Sequence, residues 1–73
     1  MTIDAAAKIL ADMYAKGGNR EKVVSIHLFG IKYADEIASM NAYEIAERAG
    51  IPKSYGSEIY KGIRLAKYVE LKR

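Results

Sequence analysis

Glu44-Ile45-Ala46-Glu47-Arg48-Ala49-Gly50-Ile51 is the stretch on which the fold turns. Its first six residues suit a helix. Gly50 ends it, because glycine accepts a left-handed backbone that costs a residue with a Cβ about 1–2 kcal/mol. Ala46 is small enough to let a second helix cross close above it. Ile51 can tuck beneath that crossing and hold its angle. Pro52 lacks an N–H and disfavours helical geometry at Ile51, so the turn is firm. These features match the first half of a helix-turn-helix. A plain helical corner shares the same spacing, so the stretch speaks for architecture before it speaks for function.

Working upstream, Asn41-Ala42-Tyr43-Glu44 reads as a capping box that starts this helix, with Glu44 reaching back to the N–H of the cap. A short helix is expected over Tyr33 to Ala38, carrying Ile37 into the core. A second helix is expected from Arg20 to about Phe29, capped by Asn19, with a break or bend at Gly30. Its stripe is Val23, Val24, His27, Leu28 and Ile31 at three- and four-residue steps. The run Val23 to Phe29 could pass for a strand, but no second strand is available to pair with it. The first helix runs from Ile3 to Lys16, with Thr2 as cap, Asp4 at the positive end of the helix dipole and Gly17-Gly18 as stop.

Downstream, the pattern departs from its usual form. Ten positions after Ala46, where an apolar residue normally packs the second helix onto the first, stands Gly56. The last helix is expected from Lys53 or Ser54 to about Leu71. At 100° per residue, Tyr55, Ile59, Gly62, Ile63 and Ala66 fall on one arc, and Gly62 there would let another helix approach closely. The opposite arc holds Lys53, Ser57, Lys61, Arg64 and Tyr68, with Ser54 and Lys72 beside them and no acid at its centre. Cations there can neutralise phosphates, while serine and tyrosine can donate to phosphate oxygens.

Charge distribution sharpens this. Residues 1–51 carry a net −1 and residues 52–73 a net +4. Such asymmetry favours an anionic partner for the C-terminal end; a solvated helix face is the alternative. The expected fold is therefore all-α, a compact helical domain of four to five helices spanning residues 1–73, containing a helix-turn-helix. Only Tyr68 to Leu71 resembles a strand, so no wing is expected.

The stretches Ile26-His27-Leu28-Phe29-Gly30-Ile31-Lys32-Tyr33-Ala34-Asp35, Lys53-Ser54-Tyr55-Gly56 and Lys61-Gly62-Ile63-Arg64-Leu65-Ala66-Lys67-Tyr68-Val69 resemble a family of small bacterial proteins described as HTH-like domains. The resemblance covers about Ala6 to Leu71. It implies a helix-turn-helix-type fold of unassigned role and transfers no functional residue.

Other chemistry finds little support. With no cysteine and one histidine, a metal site lacks ligands, and His27 reads as a hydrogen-bonded core or boundary residue. Asp35-Glu36 and Glu44 with Glu47 suit caps and solvated faces better than acid–base catalysis. Five short helices are too small to enclose a substrate pocket. No cofactor and no small-molecule substrate are expected. No apolar run is long enough to span a membrane, and the N-terminus lacks a signal peptide, so a cytoplasmic location is expected. Of the six tyrosines, Tyr14, Tyr33 and Tyr43 are expected to complete the core, while Tyr55, Tyr60 and Tyr68 stay open.

The preferred reading is a non-catalytic DNA-binding domain, in the manner of a transcriptional regulator. Lys61, Arg64 and Tyr68 would lie along the backbone, with Lys53, Ser54 and Ser57 near base edges. A homodimer or a larger protein partner would supply affinity. The rival is a protein–protein interaction module with a Tyr-rich helical interface.

Overall fold

The structure, a computed structural model, describes residues 1–18 and 21–69. These form α1 (Ile3–Lys16), α2 (Lys22–Lys32), α3 (Ala34–Ile37), α4 (Ala42–Arg48), a 3₁₀ turn (Lys53–Tyr55) and α5 (Gly56–Leu65). Among the described residues there is no strand, in keeping with the all-α expectation. The core joins all five helices through Ala6, Leu10, Ile26, Phe29, Ile45 and Ile59, each fully buried, with Ile37 supplied by α3 as expected.

α1 follows its sequence signals from end to end. The Thr2 hydroxyl accepts from the Ala5 N–H at 3.1 Å, and Gly18 takes a φ of 68° just past the helix. α2 does not. It runs through Gly30 to Lys32 instead of breaking, and its first helical residue is Lys22. The expected Asn19 cap and Arg20 start lie outside the described residues. Its buried positions are Ser25, Ile26, Phe29 and Gly30, whereas Val23, Val24 and Leu28 of the expected stripe are exposed. The run is apolar around most of its circumference, so periodicity alone cannot choose a face.

The choice is made by α5. A Cβ on Gly30 would stand 2.6 Å from the Ile59 carbonyl oxygen and 2.9 Å from Gly62 Cα. A Cβ on Gly62 would stand 2.5 Å from the His27 carbonyl oxygen. The two glycines therefore place the backbones of α2 and α5 in direct contact, and this is the most extensive helix pairing in the fold. Gly30 is a contact residue, not a breaker, and the close approach expected at Gly62 is present.

The corner between α4 and α5 is closed by local bonds. The Gly50 N–H donates to the Glu47 carbonyl at 3.1 Å and the Ile51 N–H to the Ala46 carbonyl at 3.2 Å. With Gly50 at φ 81°, this is a Schellman ending, and the buried Ile51 and Ala46 supply its apolar contact. Asn41 caps α4 by accepting from Tyr43 and Glu44 N–H groups. The reciprocal half of the expected capping box is absent among the bonds of the described residues: the Glu44 carboxylate faces Arg48 at 2.6 Å instead. Arg48 also reaches Asp4 at 2.6 Å, tying α4 to α1.

Gly56 explains the irregular second half of the motif. A Cβ there would stand 2.7 Å from Tyr43 Cα and backbone N. The start of α5 thus sits on the first turn of α4 backbone to backbone, where an apolar side chain usually intervenes. α5 ends at Leu65, six residues before the expected Leu71; residues 66–68 are turn. Leu65 and Val69 are exposed, and among the described residues beyond Ile63 none is buried to hold a further helical turn.

Substituting Gly30 or Gly62 by alanine should lower the unfolding free energy by about 2–3 kcal/mol through overpacking, outweighing alanine's better helix propensity of about 1 kcal/mol. Gly18→Ala, where a Cβ meets no neighbour within 4 Å, should cost only about 1 kcal/mol in backbone strain. Urea unfolding followed by circular dichroism reads both.

Candidate nucleic-acid interface

Of the residues that the sequence places on one arc, Lys53 and Ser54 stand in the 3₁₀ turn and Ser57, Lys61 and Arg64 on α5. Lys53, Ser54, Lys61 and Arg64 are exposed, and Ser57 is half-buried. Tyr68 is 81% exposed, just past the end of α5. Lys72 lies outside the described residues. Lys53 and Ser54 precede α5 proper, in the 3₁₀ turn that follows Pro52.

Two polar groups on this face are already engaged. The Ser57 hydroxyl donates to the Ser54 carbonyl at 3.0 Å, so as a donor it is spent on shaping the turn. Lys61 Nζ lies 3.3 Å from Glu58 Oε2. An acid therefore borders the basic arc, while its centre holds none, as expected. Glu58 sits one helical turn before Lys61, at the edge of the arc. Among the described residues Arg64 and Lys53 form no ion pair, and they carry the least compensated charge on the face.

Glu58 also binds across the helix pair. Its Oε1 lies 2.7 Å from His27 Nε2. An ionised carboxylate only accepts, so the imidazole proton resides on Nε2. His27 is thus the hydrogen-bonded boundary histidine that its place in the sequence suggests, with its side chain 30% exposed. The hydrogen bond from His27, then that from Lys61, holds the Glu58 carboxyl below the usual carboxylate range, against the opposing effect of burial.

The tyrosines divide differently from expectation. Tyr14, Tyr33, Tyr55 and Tyr60 all pack against the core. Tyr14 and Tyr55 rings lie 6.2 Å apart, and the Tyr60 hydroxyl accepts from the Ala42 N–H at 3.2 Å. Tyr43, expected inside, is exposed at the edge and meets Tyr60 in a T-shaped contact. Only Tyr68 is left fully available to a partner.

One member of the face was missed. Leu65 lies within about 40° of Lys61 on the helical wheel, is exposed, and lines an open groove of about 380 Å³ with His27, Lys61, Arg64 and Tyr68. The face is therefore cationic at its rim and apolar along its floor. A wheel drawn with every residue, and not only the polar ones, would have placed Leu65 there.

A protein family described as an HTH-like domain matches residues 2–72. The chain belongs to this family. No curated protein and no solved structure matches it. No helix among the described residues is long and apolar enough to cross a membrane.

Because the folded Glu58 binds its proton less readily than the unfolded chain, the stability it contributes is complete above the unfolded value of about 4.3. That contribution is lost as pH falls through the lower folded value. Urea unfolding between roughly pH 2.5 and 6 should show this as an acid limb that Glu58→Gln flattens.

Proposed function

We propose that this HTH-like domain is a non-catalytic module that binds the backbone of duplex DNA through the 3₁₀ turn and α5. The observation that carries this reading is the set of exposed Lys53, Lys61 and Arg64 along the element that follows the Gly50 turn. Arg64 and Lys53 would each neutralise a phosphate, and Lys61 would do so with its charge shared with Glu58. The Ser54 hydroxyl and Tyr68 would donate to phosphate oxygens. Ser57 is weaker as a contact, since its hydroxyl already serves the turn. The setting this implies is transcriptional regulation in a bacterial cytoplasm. The mixture of cations with half-buried acid supports backbone contact more than base reading, for which the short α5 offers few long polar side chains near its start.

A second reading rests on the groove floored by Leu65 and Tyr68. Apolar surface between cations suits an acidic amphipathic protein segment, and such a site would hold its affinity better at raised salt than a phosphate site.

Fluorescence anisotropy on a mixed-sequence duplex separates the two. About three phosphate contacts predict a salt slope near −3, or roughly a 40-fold loss of affinity between about 50 and 200 mM salt. The pair Lys61→Glu with Arg64→Glu should abolish binding, and Leu65→Ala should leave it unchanged. Absence of measurable binding at the lower salt would overturn the DNA reading.

A further inference from the structure

α2 carries apolar side chains on two faces, and α5 covers one of them. On the uncovered side Val24 is 48% and Leu28 38% exposed. With the half-buried Ile31, they follow at steps of four and three residues, which stacks them along one narrow seam of the helix. A lone exposed apolar residue is ordinary, but a row at seam spacing on one helix is a surface shaped for contact. Glu21 lies three residues before Val24 and Lys32 four after Leu28. Both are exposed, so the seam begins on an anion and ends on a cation.

That polarity selects the occupant. We propose that the Val24–Leu28–Ile31 seam of α2 binds a second copy of this chain, packed antiparallel about a two-fold axis midway between Val24 and Leu28. A two-fold contact must be self-complementary, and this seam is. Val24 of one copy meets Leu28 of the other, and the reverse. With the axis there, Glu21 of each copy faces position 31 of its partner, one residue from Lys32, so opposite charges lie side by side at each end of the apolar row. A parallel pairing would instead set glutamate against glutamate and lysine against lysine.

The two-fold axis also keeps both α5 helices on the same side of the pair, because each α5 is offset to the same flank of its own α2. Val24 and Leu28 lie on α2, and neither lines the groove beside Lys61 and Arg64. The inference does not rest on the nucleic-acid reading, and its test uses no nucleic acid.

Contact through one face of an eleven-residue helix falls at the small end of specific interfaces, so association is expected in the range of about 10 µM to 1 mM. Sedimentation equilibrium across that range should show a mass rising toward twice the 8.1 kDa of the chain. Val24→Glu and Leu28→Glu should each hold the chain monomeric while circular dichroism and urea unfolding stay close to the parent, since both side chains are exposed. Glu21→Lys alone and Lys32→Glu alone should each raise the dissociation constant on the order of three- to tenfold, and the two together should restore it. A monomer throughout, a dimer that Val24→Glu leaves intact, or a double charge swap no better than the single ones would each overturn the proposal.

Discussion

Two helices meet at Gly30 and Gly62 with no side chain between them, and the rest of the molecule is arranged around that contact. Backbone atoms at this range leave no room for a methyl group on either side. The approach draws Ile59 fully into the core beside Ile26 and Phe29. It also fixes the rotation of α2 about its own axis. Once Gly30 faces α5, His27 must sit at the border of the pair and Val24 and Leu28 must face away. The hydrogen bond from His27 to Glu58 then spans the same crossing from its solvent side.

A second close approach, at Gly56, sets where α5 begins. The helix rests on the first turn of α4 at Tyr43, and the Gly50 ending with its 3₁₀ continuation brings the chain there. Arg48 couples this corner to α1 through Asp4 while pairing with Glu44 within its own helix. The surface that α5 presents is then a compromise. Among the described residues Lys53 and Arg64 form no ion pair, Lys61 shares its charge with Glu58, and Leu65 with Tyr68 adds apolar area beside Lys61 and Arg64. Phosphate contact asks only for the rim of this face, whereas a protein segment would also use its floor. The apolar seam of α2 is a separate surface produced by the same crossing.

Much of the architecture was legible in the chain because it depends on local chemistry. Thr2, Asn41, Gly18 and Gly50 mark helix ends through caps and left-handed backbone, and these operate within a few residues. The exposure of Lys61 and Arg64 on α5 was legible too, since it follows from charge and helical period. Three things were not. Gly30 reads as a breaker when its partner Gly62, thirty-two positions away, is not considered. Val23, Val24 and Leu28 read as core because Val23 to Ile31 is apolar on nearly every side. Glu58 draws no notice until His27 and Lys61 are placed against it.

The sequence by itself determined that this chain forms short helices, that they break at Gly17-Gly18 and Gly50, and that positive charge gathers near the C-terminal end. Those outcomes rest on backbone conformational preference and on composition, both local. Only the tertiary structure decided which face of α2 is buried, why glycine stands at position 56, and how far the basic arc is tempered by an acid. Each of these depends on atoms brought together from distant positions, and steric exclusion between two backbones leaves no trace in the periodicity of either helix alone.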